Sequence, residues 1–433
     1  MGVFDLDDDK VENLRSWFGF NEPFSFGKAK PLGPMLSVLI LILFSLAVLT
    51  AFKLLGTALF GTAPKGTASS LGLSGMIVAM IGAPLVVWRT SIAQDQTKTA
   101  KEALFNDKIN AAVSDLHAQR QITKWDKNGK AQNGWEDDLT RRNGAIDRLA
   151  GLASEEPRSA PRIARTLSMY VKELSRKFPA KDAPETSNQK SLSEWADKLS
   201  AERSDIEHAV QVLGKLRELS GMTLDHDEID LKRVNLQGFN LRGLNFENVS
   251  FRHAKLQGAI LLCTRLRGAD LGSVELQGTR LKETDLRESH LAYANLQGAS
   301  LRKVRLLKSS LSCAKLNGAR LIHSQLEGAD FTHAKLRGVY LRKSTFDSST
   351  VLKGVDFSGA GFREIDLSTT SVKVAHLKSV FCDASVIFTD GDRDNDIPVW
   401  PAPWDKQELS APNFNYKWRA FQKAGGFDPD NPN

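Results

Sequence analysis

The chain has 433 residues, of which 41% are hydrophobic and 25% charged, and a formal net charge of +7. That length is enough for two or three ordinary domains. Cys263, Cys313 and Cys382 are odd in number and far apart, which excludes a disulfide framework.

Residues 1–34 hold an acidic patch (Asp5, Asp7, Asp8, Asp9), an aromatic run (Trp17, Phe18, Phe20, Phe24, Phe26), and then Lys28 and Lys30. Aromatics and lysines just before an apolar run suit a membrane interface, and a flexible tail fits the same residues. Leu6 stands where an acyl-anchor motif beginning Met1-Gly2 needs Ser or Thr, so no lipid anchor is assigned. From Met35 to Phe52 there is no charge, and the apolar run continues past Lys53 to Phe60. A second apolar stretch, Leu71–Trp88, contains Gly72, Gly75, Gly82 and Pro84, residues tolerated in packed membrane helices. Residues 35–90 are therefore expected to form a transmembrane helical hairpin. Arg15, Lys28, Lys30, Arg89, Lys98 and Lys101 flank it, against Lys53 and Lys65 at the connection. That bias predicts both ends in the cytoplasm.

Residues 91–225 read as a small α-helical domain. Ala103, Leu104, Ile109, Val113 and Leu116 continue a helix out of the apolar stretch, and two Asn-Gly pairs make Lys124–Trp135 a loop. Leu139, Ile146, Leu149 and Leu152 mark the next helix. Ile163, Leu167, Tyr170, Val171 and Leu174 mark another, starting near Ser159 and Pro161. Ala180–Lys190 reads as a linker before a last helical stretch carrying Trp195, Leu199, Ile206, Val210, Leu213 and Leu216.

Residues 226–388 are a repeat. From Leu231 to Phe346 every fifth residue is Leu or Phe, 24 in succession, and the residue two places earlier is mostly small or β-branched. A period of five is neither helical nor that of a flat strand. Leu236-Gln237-Gly238 recurs as Leu256-Gln257-Gly258, Leu276-Gln277-Gly278 and Leu296-Gln297-Gly298, then as Leu316-Asn317-Gly318 and Leu336-Arg337-Gly338. A square coil closing every 20 residues stacks these triplets, with the leucines inside. Gln and Asn then form a ladder on an outer face, and Gly stands at a corner. After Phe346 the units run one residue late, at Phe357, Phe362 and Leu367, which places a bulge near Val351–Gly354 with Val351 holding its place.

Units such as AKLQG, ADLGS, ANLQG, ASLRK and AKLNG resemble the pentapeptide-repeat proteins. The resemblance implies a right-handed quadrilateral β-helix, here preceded by a two-helix transmembrane hairpin and a small α-helical domain. The order of parts, with RRNGAIDRLAGLA and SDIEHAVQVLGKL ahead of the repeats, looks like a membrane-anchored bacterial subgroup. That resemblance implies an inner-membrane protein whose termini and β-helix are cytoplasmic, and it carries over no catalytic residue. Residues 389–433, with Trp400, Pro401, Pro403 and Trp404 and a helical stretch around Tyr416, Trp418 and Phe421, are expected to cap the solenoid end.

Motifs for chemistry fail. Asp390, Asp392, Asp394 and Asp396 alternate as in a calcium loop, but Asn395 takes the glycine position and Pro401 the final glutamate. His253 and His333 lie four coils apart, roughly 19 Å by the strand spacing, too far to share a metal. His226-Asp227 is a lone pair, and no phosphate-binding loop or Gly-x-Ser-x-Gly is present. No catalytic, cofactor or metal residue is assigned, and the chain is read as a non-enzyme.

Charge is the outward signal. Leu231–Thr350 holds 20 Lys and Arg against nine Asp and Glu. One wall lacks acid beside its central residues and carries Arg242, Arg280, Lys282, Arg302, Arg320 and Arg342. These are the candidate partner-binding residues, for an acidic protein. The expected function is a membrane-tethered, non-enzymatic scaffold presenting a basic face, with self-association left open. The alternative is a nucleic-acid-related or topoisomerase-binding role. It is disfavoured because the DNA-shaped members of the family are acidic.

Overall fold

The structure is a computed structural model that describes residues 67–125, 130–185, 188–372, 377–388 and 404–428, with Lys127 and a few residues between 46 and 57. The chain divides into two compact units, Met1–Lys108 and Ile109–Asn433.

The second predicted span opens α1 (Thr67–Asp115), a single 49-residue helix that runs on well past Trp88. Along its polar stretch Thr90, Thr97 and Thr99 return their hydroxyls to carbonyls four residues back, the bond that lets threonine sit inside a helix. Most of the first predicted span lies outside the described residues. Among the described residues no helix is long and apolar enough to cross a membrane, so the predicted hairpin is without structural support.

In the second unit the repeat forms a four-sided β-helix. Parallel bridges join Asp230 to Ser250, Asn235 to Lys255, Asn240 to Ile260 and Asn245 to Arg265, each pair 20 residues apart and one on each wall. The central leucines, Leu231, Leu256, Leu281 and Leu306 among them, are buried. Two residues after each centre from Leu231 to Leu341 the backbone turns left-handed, at glycines such as Gly238 and also at Arg233, His253, Glu283 and Lys303. Such turns cost an L-residue about 1–2 kcal/mol. A bond from each corner N–H to the next coil offsets part of it, as from His253 to Gly272 O at 2.9 Å.

One wall shows full strands: β3 (Ser300–Arg302), β4 (Arg320–Ile322), β5 (Tyr340–Arg342), β6 (Gly361–Arg363) and β7 (Phe381–Cys382), paired in parallel in that order. The step from β5 to β6 is 21 residues. The extra residue enters before Val351, not after it. Gln325 still pairs with Thr345, whereas Asp330 pairs with Val351, so Leu352 and not Val351 follows Phe331 in the central column. Val351 is 41% exposed. Asp347 holds the swollen corner by accepting from Gly328 N, Ser349 N and the Thr350 hydroxyl.

The helical domain comprises a β-hairpin, β1 (Gln119–Trp125) and β2 (Ala131–Asp137), then α2 (Leu139–Glu155), α3 (Ala160–Ser175), α4 (Gln189–Ala196) and α5 (Ser204–Ser220). The hairpin occupies the predicted loop, and the last predicted helical stretch is α4 and α5, broken between Ala196 and Ser204. The predicted linker is a strap. Lys181 bonds through both backbone groups to the Gln237 side chain, and α4 then lies along the glycine corners. A methyl group added to Gly238 would strike Leu199 and Ser200, one on Gly258 would strike Ala196, and one on Gly278 or Gly298 would strike Leu192. The glutamine ladder is consequently buried, with Gln237 donating to Gln257 at 3.0 Å. The sequence pattern set it on a face but did not reveal that a helix of the same chain covers that face.

This predicts a graded glycine series. Gly243→Ala meets nothing within 4 Å and should cost about 1–2 kcal/mol of left-handed strain. Gly258→Ala carries the same strain and should lose a further ~1–3 kcal/mol by overpacking against α4. Denaturation midpoints and the rate of tryptic cleavage at Lys198 measure the difference.

Both ends of the coil are closed by hydrogen bonds. In later coils Lys255, Ile260 and Arg265 donate to the coil below. Their first-coil counterparts donate to the helical domain: Asn235 N to Ser175 Oγ at 2.5 Å, Asn240 N to Glu207 Oε1 at 2.7 Å, and Asn245 N to Gly214 O at 3.0 Å. Gly214 is required there because a methyl group would lie 2.8 Å from Leu244 and Phe246. At the other end Trp404 Nε1 donates at 2.7 Å to Val380 O, replacing the backbone N–H of a further coil. α6 (Ala411–Ala424) then lies on the β3–β7 wall, with Phe414, Trp418 and Phe421 against Ile322, Tyr340 and Phe381.

Candidate functional site

The six predicted basic residues lie on the wall whose centres begin at Leu241, and the structure divides them. Arg280 reaches Asp197, just beyond α4, at 2.5 Å. Arg342 bonds Glu364 at 2.9 Å. Arg320 lies 5.1 Å over the Tyr340 ring, which itself stacks on Trp418, and burial pushes its guanidinium pKa down. Arg280 and Arg320 thus bear on the two straps, whereas Arg342 is paired within the rod, at the corner after β6. Lys282 stands 3.9 Å from Glu283, which Lys303 shares at 3.6 Å. Arg242 and Arg302 are exposed and make no ion pair among the described residues. Uniform repulsion along a bare basic column, as the sequence suggested, is therefore relieved within the chain by a carboxylate at Arg280, Arg342 and, at 3.9 Å, Lys282, and by the Tyr340 ring at Arg320. What remains is a window on this wall where Arg242, Lys282 and Arg302 are exposed and Ile260, between its bridge partners Asn240 and Arg280, is 48% exposed.

The wall centred on Phe246 is neutralised internally. Arg287 bonds both Asp285 oxygens, and Arg267 pairs with Glu288 at 2.8 Å.

Sequence reasoning missed a buried charge cluster. Arg142 of α2 reaches Asp137 at 2.5 Å. Arg203 bonds Asp137 at 2.8 Å and Asp205 at 2.6 and 3.0 Å, and the Tyr170 hydroxyl donates to Asp205 at 2.6 Å. Burial pushes the Asp205 carboxyl up, but the bonds from Arg203 and Tyr170 together outweigh it and hold it below the usual range. Burial and the same carboxylate push the Tyr170 phenol up. Arg142 and Asp205 come from the two short motifs ahead of the repeats, and Asp147 and His208 of those motifs also meet, at 2.7 Å. The motifs are a lock between α2 and α5. The neighbouring cavity, bounded by Phe178, Arg203, Asn235 and Gln237, measures about 20 Å³, room for about one water and no substrate.

Other chemistry stays sparse. Asp225, His226 and Asp227 are consecutive and largely exposed. The three cysteines are free, and burial pushes the Cys382 thiol well above its usual range.

The family model for pentapeptide repeats matches residues 229–268, 269–306 and 309–347. The rod is a pentapeptide-repeat β-helix. Solved structures similar to it include HetL, a pentapeptide-repeat protein involved in heterocyst differentiation regulation in the cyanobacterium Nostoc sp. strain PCC 7120. It is 24% identical over 40% of this chain and 88% of its own, with a TM-score of 0.27. QnrB1, a plasmid-mediated fluoroquinolone resistance protein, is 16% identical over 46% of this chain and 97% of its own, at a TM-score of 0.25. Rfr23 from the cyanobacterium Cyanothece 51142 is 27% identical over 26% of this chain and 88% of its own, at 0.15. No curated protein matches the chain. The pentapeptide-repeat rod carries its helical domain and both straps on the outside of the coil.

Proposed function

We propose that this protein is a non-enzymatic scaffold, tethered to a bacterial inner membrane, whose cytoplasmic rod docks an acidic amphipathic helix of a partner protein in the Ile260 window. The tether is supported by sequence alone, through the uncharged stretches Met35–Phe52 and Leu71–Trp88. The docking mode is supported by α6. This wall already receives one helix, whose aromatic side chains settle on Ile322 and Tyr340. Lower on the same wall Ile260 is half-exposed between Asn240 and Arg280, and Arg242, Lys282 and Arg302 are exposed on that wall. An apolar anchor inside a charged rim is the usual anatomy of a protein interface, and arginine adds bidentate geometry toward carboxylates.

Reversing Arg242, Lys282 and Arg302 to Glu tests both halves in one preparation. The triple variant leaves Arg280 and Arg320 in place, because these hold α4 and the Tyr340–Trp418 stack. It should melt as the wild type does, remain in carbonate-washed membranes, and lose the proteins that the wild type retains. Unchanged retention of partners removes the window from consideration, and recovery of the chain in the wash removes the tether.

A further inference from the structure

The β1–β2 hairpin is a two-stranded ribbon joined by no third strand among the described residues, and most of its residues are exposed. Its root is rigid. Asp138 N donates to Ala118 O at 3.0 Å, Arg142 Nε reaches the same carbonyl at 3.1 Å, and Arg142 and Arg203 clasp Asp137. Its outer part has no such support. Trp125 and Trp135 are 71% and 68% exposed. Trp125 pairs with Ala131 and Trp135 with Gln121, so the period of two puts both rings on one face, four residues or roughly 13 Å apart. Thr123 and Asn133 bond between them at 2.8 Å. The opposite face pairs Arg120 with Glu136 and carries Lys124 nearer the turn. Toward the turn the sequence places Lys124, Lys127 and Lys130 against Asp126.

We propose that this hairpin is a lipid-contacting arm, whose tryptophan face and lysine tip bind an anionic phospholipid surface. A two-stranded ribbon is marginal alone in water, so two bare indoles along one of its faces, Trp125 at the outer end and Trp135 nearer the root, call for a medium that takes them up. Trp favours the headgroup level of a bilayer, and lysines near an anionic leaflet are attracted without needing a shaped receptor. The tip offers point charges rather than guanidinium forks, which suits a charged surface better than a shaped receptor. The hairpin lies within Ile109–Asn433, and the inference does not depend on the proposed tether.

Hydrogen exchange of the full chain, with vesicles of phosphatidylcholine alone or with added phosphatidylglycerol, tests it. Amides of residues 119–137 should slow with phosphatidylglycerol and not without it, and the slowing should weaken as salt rises. It should fall about fivefold in Lys127→Gln, the exposed lysine of the turn. It should vanish when Trp125 and Trp135 are both replaced by Ala, with α2 and α5 exchanging as in the wild type. Equal hairpin exchange in both vesicles overturns the proposal, whatever protection appears at residues 35–88. So does protection by polyglutamate that phosphatidylglycerol fails to give, which would assign the arm to an acidic protein.

Discussion

Replacing Leu291 by arginine is expected to collapse the β-helix. Leu291 is fully buried, and its N–H donates to Ser310 of the next coil. The substitution forfeits roughly 1.5–3 kcal/mol of apolar burial. It also places a guanidinium where no carboxylate can reach it, a penalty larger than the burial term. Because each coil is the template for its neighbours, the damage cannot stay local. Circular dichroism melts of the full chain should show loss of the sheet signal rather than a small shift. Gln277→Ala is the comparison. Gln277 is buried beside the α4 strap, yet its Oε1 has no hydrogen-bond partner, so the change should cost only about 1 kcal/mol. Equal losses for the two variants would refute the inward assignment of Leu291.

Asp205→Ala should come close to this in effect, through charge rather than volume. Asp205 is fully buried and accepts from Arg203, Tyr170 and Ile206 N. Its removal strands Arg203 and the phenol in the interior, and breaking one partner of such a cluster costs about 3–5 kcal/mol. The acid limb gives an independent check. The folded carboxyl titrates below its usual range, so its contribution is complete above the unfolded value of about 3.9 and disappears as pH falls through the lower folded value. Asp137 is held down in the same sense, burial raising it and Arg203 and Arg142 outweighing that. Wild-type α2 and α5 should therefore persist at neutral pH and weaken only below about pH 4. In Asp205→Asn most of that acid-dependent component should be missing. An unchanged acid limb would show that the cluster contributes nothing to stability.

The repeat could be read because its information is periodic. A leucine every five residues and a glycine every 20 specify a coil whatever surrounds it, and the bridges fall at that spacing. The one-residue slip was visible too, but its position was not. Val351 is apolar and stands at the expected count, while the turn chemistry of Asp347, Ser349 and Thr350 actually sets the corner. The candidate wall was only half readable. Its arginines follow from the period, but Asp197, Glu283 and Glu364, which neutralise them, sit on a strap or at corners outside the columns compared. The hairpin was hidden by its two Asn-Gly pairs, which signal turns equally well in a loop and in a ribbon. The Arg142–Asp205 contact joins residues 63 positions apart, and no local pattern reports a pairing at that distance.

The two straps also determine where such a rod can change length in evolution. Inter-coil bonds repeat every 20 residues, so duplicating one coil adds about 4.8 Å without altering its neighbours. Among the described residues, α4 grips the corners from Gly238 to Gly298, and α6 with Phe427 grips Ile322 to Phe381. A coil copied inside either span would pull a strap out of register with its glycines. Only the interval between Gly298 and Arg320 accepts an inserted coil at no such cost, so descendants of this gene should vary in length there first.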